Sequence, residues 1–149
     1  MKLKNRFKMR KLLYLILLIT LSLFTDLNAK ENFFNEAKNE FDKKNYEESK
    51  FLFQRNIVFN PKNAESYLYL AKIYEVEEDQ KKTKKNIETA LLLEPNNEEA
   101  TLMLIEIELE KSNFSVVEEL IRKFEVICET RCDQKSSIRD KLKNLQADG

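Results

Sequence analysis

The chain has 149 residues with 26 basic and 26 acidic side chains, 42% hydrophobic positions and no histidine. Lack of histidine removes the commonest general base, the usual zinc ligand sets and every Ser-His or Cys-His nucleophile. The single glycine is the terminal Gly149, so no glycine loop can cradle a phosphate. Glutamates are numerous, but solvated helix faces carry them by default and no pair adjoins an inferable apolar pocket, as a glycosidase would need. The expectation is therefore no enzyme, no cofactor, no metal and no small-molecule substrate.

The chain opens with Lys2, Lys4, Arg6, Lys8, Arg10 and Lys11, followed by an uncharged, mostly apolar run from Leu12 to Phe24 and a polar break ending at Ala29. A basic head, a short apolar run and a small residue before a polar stretch describe a secretory signal peptide. A bilayer-spanning helix needs roughly 20 apolar residues, which this run does not reach. Residues 1–29 are expected to be removed after Ala29, placing the protein in the periplasm. Leu27 is larger than the small residue preferred at its position, so the alternative is an uncleaved anchor in the inner membrane, with the domain still facing the periplasm. No cysteine follows the run where lipid attachment would need one. The rest of the chain has net charge −5 and no basic stripe, which argues against nucleic-acid binding.

From Lys30 onward the chain repeats every 34 residues. In the first copy, 30–63, Phe33, Ala37, Tyr46, Phe53 and Pro61 stand 34 positions before Tyr67, Ala71, Gln80, Ile87 and Pro95. Glu36 and Asn56 depart from it, because Leu70 and Ala90 predict an apolar and a small residue there. Asn45 with Glu48 predicts a capping box at the second helix of this copy. In the second copy, 64–97, Tyr67, Leu70, Ala71 and Tyr74 fall at i, i+3, i+4 and i+7 on one helix face, and Thr83, Ile87, Ala90 and Leu91 on another. The third copy, 98–131, is looser. Ile105 and Phe124 are bulky where Ala71 and Ala90 are small, which should spread that helix pair. Glu129 replaces a third proline. Over 133–149, Ile138, Leu142 and Leu145 form one apolar stripe suited to a terminal cap.

The order of aromatic, Leu, small, Tyr, small, large apolar, Ala and Pro at this period resembles the tetratricopeptide repeat. The resemblance implies an all-α fold: three helix-turn-helix repeats stacked as a short right-handed solenoid over 30–132, with a C-terminal capping helix. It also implies a scaffold or adaptor that binds another protein through a concave groove lined by the first helix of each repeat, and the signal-like residues 1–29 make the expectation an exported bacterial one. Carried over position by position, the groove comprises Glu31, Phe34, Lys38, Phe41 and Asp42, then Glu65, Leu68, Lys72, Glu75 and Val76, then Glu99, Leu102, Glu106, Leu109 and Glu110. Phe34, Phe41, Leu68, Leu102 and Leu109 would bury an apolar partner segment, Lys38 and Lys72 would orient it, and Glu75 and Glu106 complete the core of the site. The alternative is that these side chains only pack against neighbouring helices. A subset of the family grips a C-terminal carboxylate with cationic groove residues. The matching positions here, Phe34, Lys38, Tyr69, Glu99 and Met103, contain one cation and one repelling acid, which rules that mode out.

Lys81, Lys82, Lys84 and Lys85 follow Glu75, Glu77, Glu78 and Asp79. The simple reading is a solvated helix face, and the functional one is docking to an acidic partner or an anionic membrane surface. Cys128 and Cys132 are the only cysteines, and export would let them form a disulfide that staples the cap to the array. A three-residue spacer is not the thiol oxidoreductase spacing. The functional alternatives are a membrane-anchored subunit of an envelope assembly and, less favoured, a thiol-active accessory protein.

Overall fold

The computed structural model describes Tyr14 and residues 33–147, and every regular element among them is a helix. A first helix, α1, covers 33–42 of the described residues. It is followed by α2 (Tyr46–Phe59), α3 (Ala64–Val76), α4 (Gln80–Leu93), α5 (Glu98–Glu110), α6 (Phe114–Ile127) and α7 (Gln134–Ala147). From α2 onward each helix packs on its successor in the chain. The expected signal segment lies outside the described residues apart from Tyr14. None of the described helices is long and apolar enough to cross a membrane.

The turn inside each repeat is built the same way three times, and without glycine. Lys44, Glu78 and Ser112, spaced by 34, adopt left-handed φ angles of 63°, 58° and 56°. The next residue in each case, Asn45, Asp79 or Asn113, returns its N–H over 2.9 Å to the carbonyl of Glu40, Tyr74 or Glu108. That six-to-one bond closes the helix end. Left-handed backbone costs a residue with a Cβ about 1–2 kcal/mol, so all three turns rest on the packing around them.

Helix starts are chemically specified in the middle of the chain. The side chains of Asn63, Asp79 and Asn97 accept from the N–H groups of Ser66, Lys82 and Ala100 at 2.7, 3.0 and 2.9 Å, satisfying donors that a helix start leaves orphaned. The capping box expected at Asn45 and Glu48 is not formed. Asn45 makes no side-chain cap; its amide points back to the Glu40 carboxylate at 2.9 Å. Asn113 behaves likewise towards Glu108. At these two positions the side chain ties the turn to the preceding helix, which outcompetes capping the following one.

Three apolar clusters run along the stack. The first joins Ala37, Leu52, Phe53, Leu70, Ile73 and Tyr74, with Phe33, Phe34, Phe41 and Tyr69 against it. The second holds Leu68, Ala71, Ile87, Ala90, Ala100 and Ile107. Its three alanines are fully buried, and the small side chains let α3 and α4 come together more closely than α5 and α6 do. The third contains Ile105, Leu109, Val117, Ile121 and Phe124, closed by Ile138 and Leu142 of α7. The bulky Ile105 and Phe124 are fully buried there; they fill the wider space that they create. Leu145 does not join them and is 43% exposed, because the apolar floor ends before the last turn of α7.

Candidate functional site

The inner faces of α1, α3 and α5 carry the expected groove positions, and the structure separates them into three groups. Leu68 and Leu109 are 5% and 4% exposed and belong to the core. They cannot be an apolar lining for a partner, and their assignment to the groove is corrected: neighbouring helices lie close enough to bury both. Phe34 and Phe41 are half-buried. Phe34 meets Phe53 and Tyr69 edge-on at 5.7 and 6.2 Å between centroids, and Phe41 meets Tyr46 and Tyr69 at 5.5 and 5.1 Å. Leu102 is half-buried against the third cluster. The proposed apolar row is thus largely internal packing.

The expected cations differ from one another. Lys38 is exposed. Lys72 is engaged: its ammonium lies 2.9 Å from Glu99 and 4.8 Å from the Tyr69 ring centre. Glu99 is shared with Arg131 at 3.4 Å, so the acid that was expected to repel a carboxylate is neutralised within the protein.

What the structure does bring together is acidic. Glu75 and Glu106, with Glu78, Gln80, Thr83, Ile107 and Glu110, line an open recess of about 400 Å³ between the end of α3, the start of α4 and the end of α5. Glu106 has a counter-charge in Lys141 of α7 at 2.5 Å, and Glu110 accepts from the amide of Gln80 at 2.8 Å. Glu75 and Glu78 have no ion-pair partner among the described residues. Desolvation, then the charges of Glu110 and Glu106, push the Glu75 carboxyl above its ordinary value against the pull of Lys72. Val76, 54% exposed, supplies an apolar side chain at the neighbouring position of α3. Glu78, Gln80, Thr83 and Ile107 escaped the sequence reading. The first three lie in or beside the turn rather than on the first helix, and only the run of acids from Glu75 to Asp79 hinted at them.

Two further acids tie α5 to its neighbours. Glu108 is 2% exposed yet charged. Desolvation would raise its carboxyl, but hydrogen bonds from Lys84 at 2.5 Å and from Asn113, together with the Lys84 and Lys111 charges, hold it below the ordinary value. Glu98, at the start of α5, accepts the backbone N–H groups of Glu129, Thr130 and Arg131 at 2.7, 3.1 and 2.8 Å, and the Thr130 hydroxyl at 3.1 Å. These bonds, the Glu129 N–H first, lower its carboxyl. The same short loop is closed by a disulfide between Cys128 and Cys132, whose Cα atoms are 5.3 Å apart. Among the described residues no group of three or more His, Cys, Asp or Glu side chains is placed to hold a metal ion.

No family model matches the sequence, and no curated protein matches it. Solved structures do resemble the fold. The Arabidopsis OM64 tetratricopeptide domain superposes with a TM-score of 0.69 at 15% identity, covering 80% of this chain and 98% of that one. The Yersinia enterocolitica type III secretion chaperone SycD, in complex with a peptide of the translocator YopD, gives 0.68 at 13% identity, covering 81% and 95%. The first tetratricopeptide domain of Spaghetti (RPAP3), bound to the HSP90 peptide SRMEEVD, gives 0.68 at 10%, covering 78% and 95%. The chain therefore has the tetratricopeptide-repeat fold, all-helical and repetitive.

Proposed function

We propose that this tetratricopeptide-fold chain is a non-enzymatic scaffold that binds a basic segment of another protein along its inner face. The observation that carries the reading is the open acidic recess of Glu75, Glu78, Glu106 and Glu110; the exposed Val76 follows Glu75 on α3. Two of the similar structures hold peptides of other proteins. The peptide SRMEEVD is rich in acids, whereas the recess of this chain is itself acidic, so a partner of opposite charge is favoured. Lysine or arginine side chains would meet Glu75 and Glu110, while an apolar neighbour would lie on Val76.

Export to the periplasm, with residues 1–29 removed, is part of this proposal and rests on the basic head and short apolar run. Mass spectrometry of the protein from its host, beginning at Lys30 or at Met1, decides between a released and an anchored form.

A photo-crosslinking residue at Val76, with a control at the outward-facing Val126, tests the groove in the native host. A discrete adduct from Val76 alone supports the reading and identifies the partner. Equal labelling at both positions counts against it. In vitro, a labelled oligolysine peptide should bind the full-length protein more tightly than its E75Q/E106Q/E110Q variant. Affinity should also fall as pH drops through the raised value of Glu75, where that carboxyl gains a proton.

A further inference from the structure

A second charged hollow lies on the other side of Gln80. Lys81, Lys84 and Lys85 of α4, with Gln80, Glu88 and Lys111 from the turn after α5, line a depression of about 500 Å³. Sequence alone groups Lys82 with this run. The structure removes Lys82, which pairs with Asp79 at 2.7 Å, and commits Lys84 to Glu108 and Glu88. Lys111, distant in sequence, takes its place. Lys81, Lys85 and Lys111 have no ion-pair partner among the described residues.

This arrangement opposes the fold that carries it. Lys81 and Lys85 are like charges at i, i+4 and lie in the first two turns of α4, where the helix dipole disfavours cations. Lys111 adds a third positive charge from a separate turn. Glu108 attracts Lys111 and Asp79 attracts Lys81 from a distance, but both acids are already ion-paired with Lys84 and Lys82, so an anionic ligand would relieve all three lysines.

We infer that this lysine hollow is a docking surface for an acidic segment of another protein, which makes the chain a two-sided adaptor with oppositely charged faces on either side of Gln80. Charge complementarity selects an anion, and the shape selects a segment. A bilayer is flat, and Glu88 on the rim would face its headgroups. A second copy of the chain is a poor occupant, because its acidic surface is itself a recess and two hollows do not fill one another. The inference is independent of the basic ligand assigned to the inner face.

The test is a titration of the full-length protein with fluorescein-labelled hexaglutamate, beside the variant K81E/K85E/K111E. All three lysines are exposed and make no ion pair among the described residues, so the variant should keep the parent's circular dichroism, with a somewhat lower melting point because the Lys111 charge also favours the ionised Glu108. If the reversal disturbs folding, K81Q/K85Q/K111Q gives the same comparison. Three exposed charge contacts predict roughly a tenfold loss of affinity or more, and binding that weakens between about 0.05 and 0.5 M salt. Equal binding by parent and variant would assign the peptide to the basic residues at positions 2–11 and overturn the inference, as would no binding by the parent. Phosphatidylglycerol vesicles that retain the parent but not the variant, while hexaglutamate goes unbound, would replace the protein segment by a lipid surface.

Discussion

The junction between α2 and α3 and the junction between α4 and α5 are the same joint built in two chemistries. At the first, the amide of Asn56 donates to the hydroxyl of Ser66 at 2.8 Å, both side chains fully buried. At the second, the equivalent positions, 34 residues on, are Ala90 and Ala100, also fully buried. What this joint requires is a small matched pair, either mutually hydrogen-bonded or wholly apolar. A mixed pair would leave a polar group buried without a partner. The third joint, from α6 to α7, abandons the pattern. Phe124 stands where Asn56 and Ala90 stand, the tight turn is replaced by the Cys128–Cys132 loop, and the Glu98 carboxylate pins that loop to α5.

The largest expected effect comes from forcing the third joint to resemble the second. Phe124→Ala installs the residue that serves at position 90, yet it should cost about 3–5 kcal/mol, since Ile105, Val117 and Ile121 would surround a cavity. Urea unfolding measures this, and a loss below about 1 kcal/mol would mean that the last repeat can close up as the central one does. Next in size is Asn56→Ala, which orphans the Ser66 hydroxyl and should cost about 1–3 kcal/mol. Adding Ser66→Ala converts the first joint into a copy of the second and should restore most of that loss. A double variant no better than the single one would break the equivalence of the two joints.

The third joint should also respond to pH, through Glu98. The folded-state value of Glu98 is lowered, so its contribution is complete above the ordinary carboxylate value of 4.5 and disappears as pH falls through the lower folded value. Hydrogen exchange in α7 should accelerate at acid pH and, at neutral pH, in Glu98→Gln; the variant should leave α3 and α4 protected, since Asp79 and Glu108, which serve α4, stay ionised there. Uniform acceleration along the chain in the variant would show that the joint is not a separate unit. The smallest effect lies in the turns that all three repeats share. Lys44→Gly or Ser112→Gly should raise stability by about 0.5–1 kcal/mol, the relief of left-handed strain less the entropy of glycine.

These joints also show where the sequence could be read and where it could not. The period of 34 and the small residues Ala71 and Ala90 determine the helix count and the close approach of α3 to α4, because volume at a crossing is a local property of a residue type. Asn56 was recognisable as a departure. Its compensation was not, although Ser66 departs from Ala100 in the same repeat, and two departures one joint apart are the available signal. Register alone places the groove side chains on a face but does not say how near the next helix lies. It therefore points Leu68 and Leu109 at a partner although they belong to the core, and Lys72 at a ligand although it pairs with Glu99. The Glu98 bonds to residues 129–131 span more than 30 positions and leave no periodic trace.

Since Asn56 must be inherited with Ser66, and Ala90 with Ala100, the unit that can be exchanged intact is not the repeat as its prolines delimit it. It is displaced by half a period, from the second helix of one repeat through the first helix of the next. Recombination between such arrays at Pro61 or Pro95 would separate matched partners, whereas crossovers at the left-handed turns of Lys44, Glu78 and Ser112 would keep them together. A crossover at Glu78 would still have to preserve the close fit of Ala71 in α3 against α4.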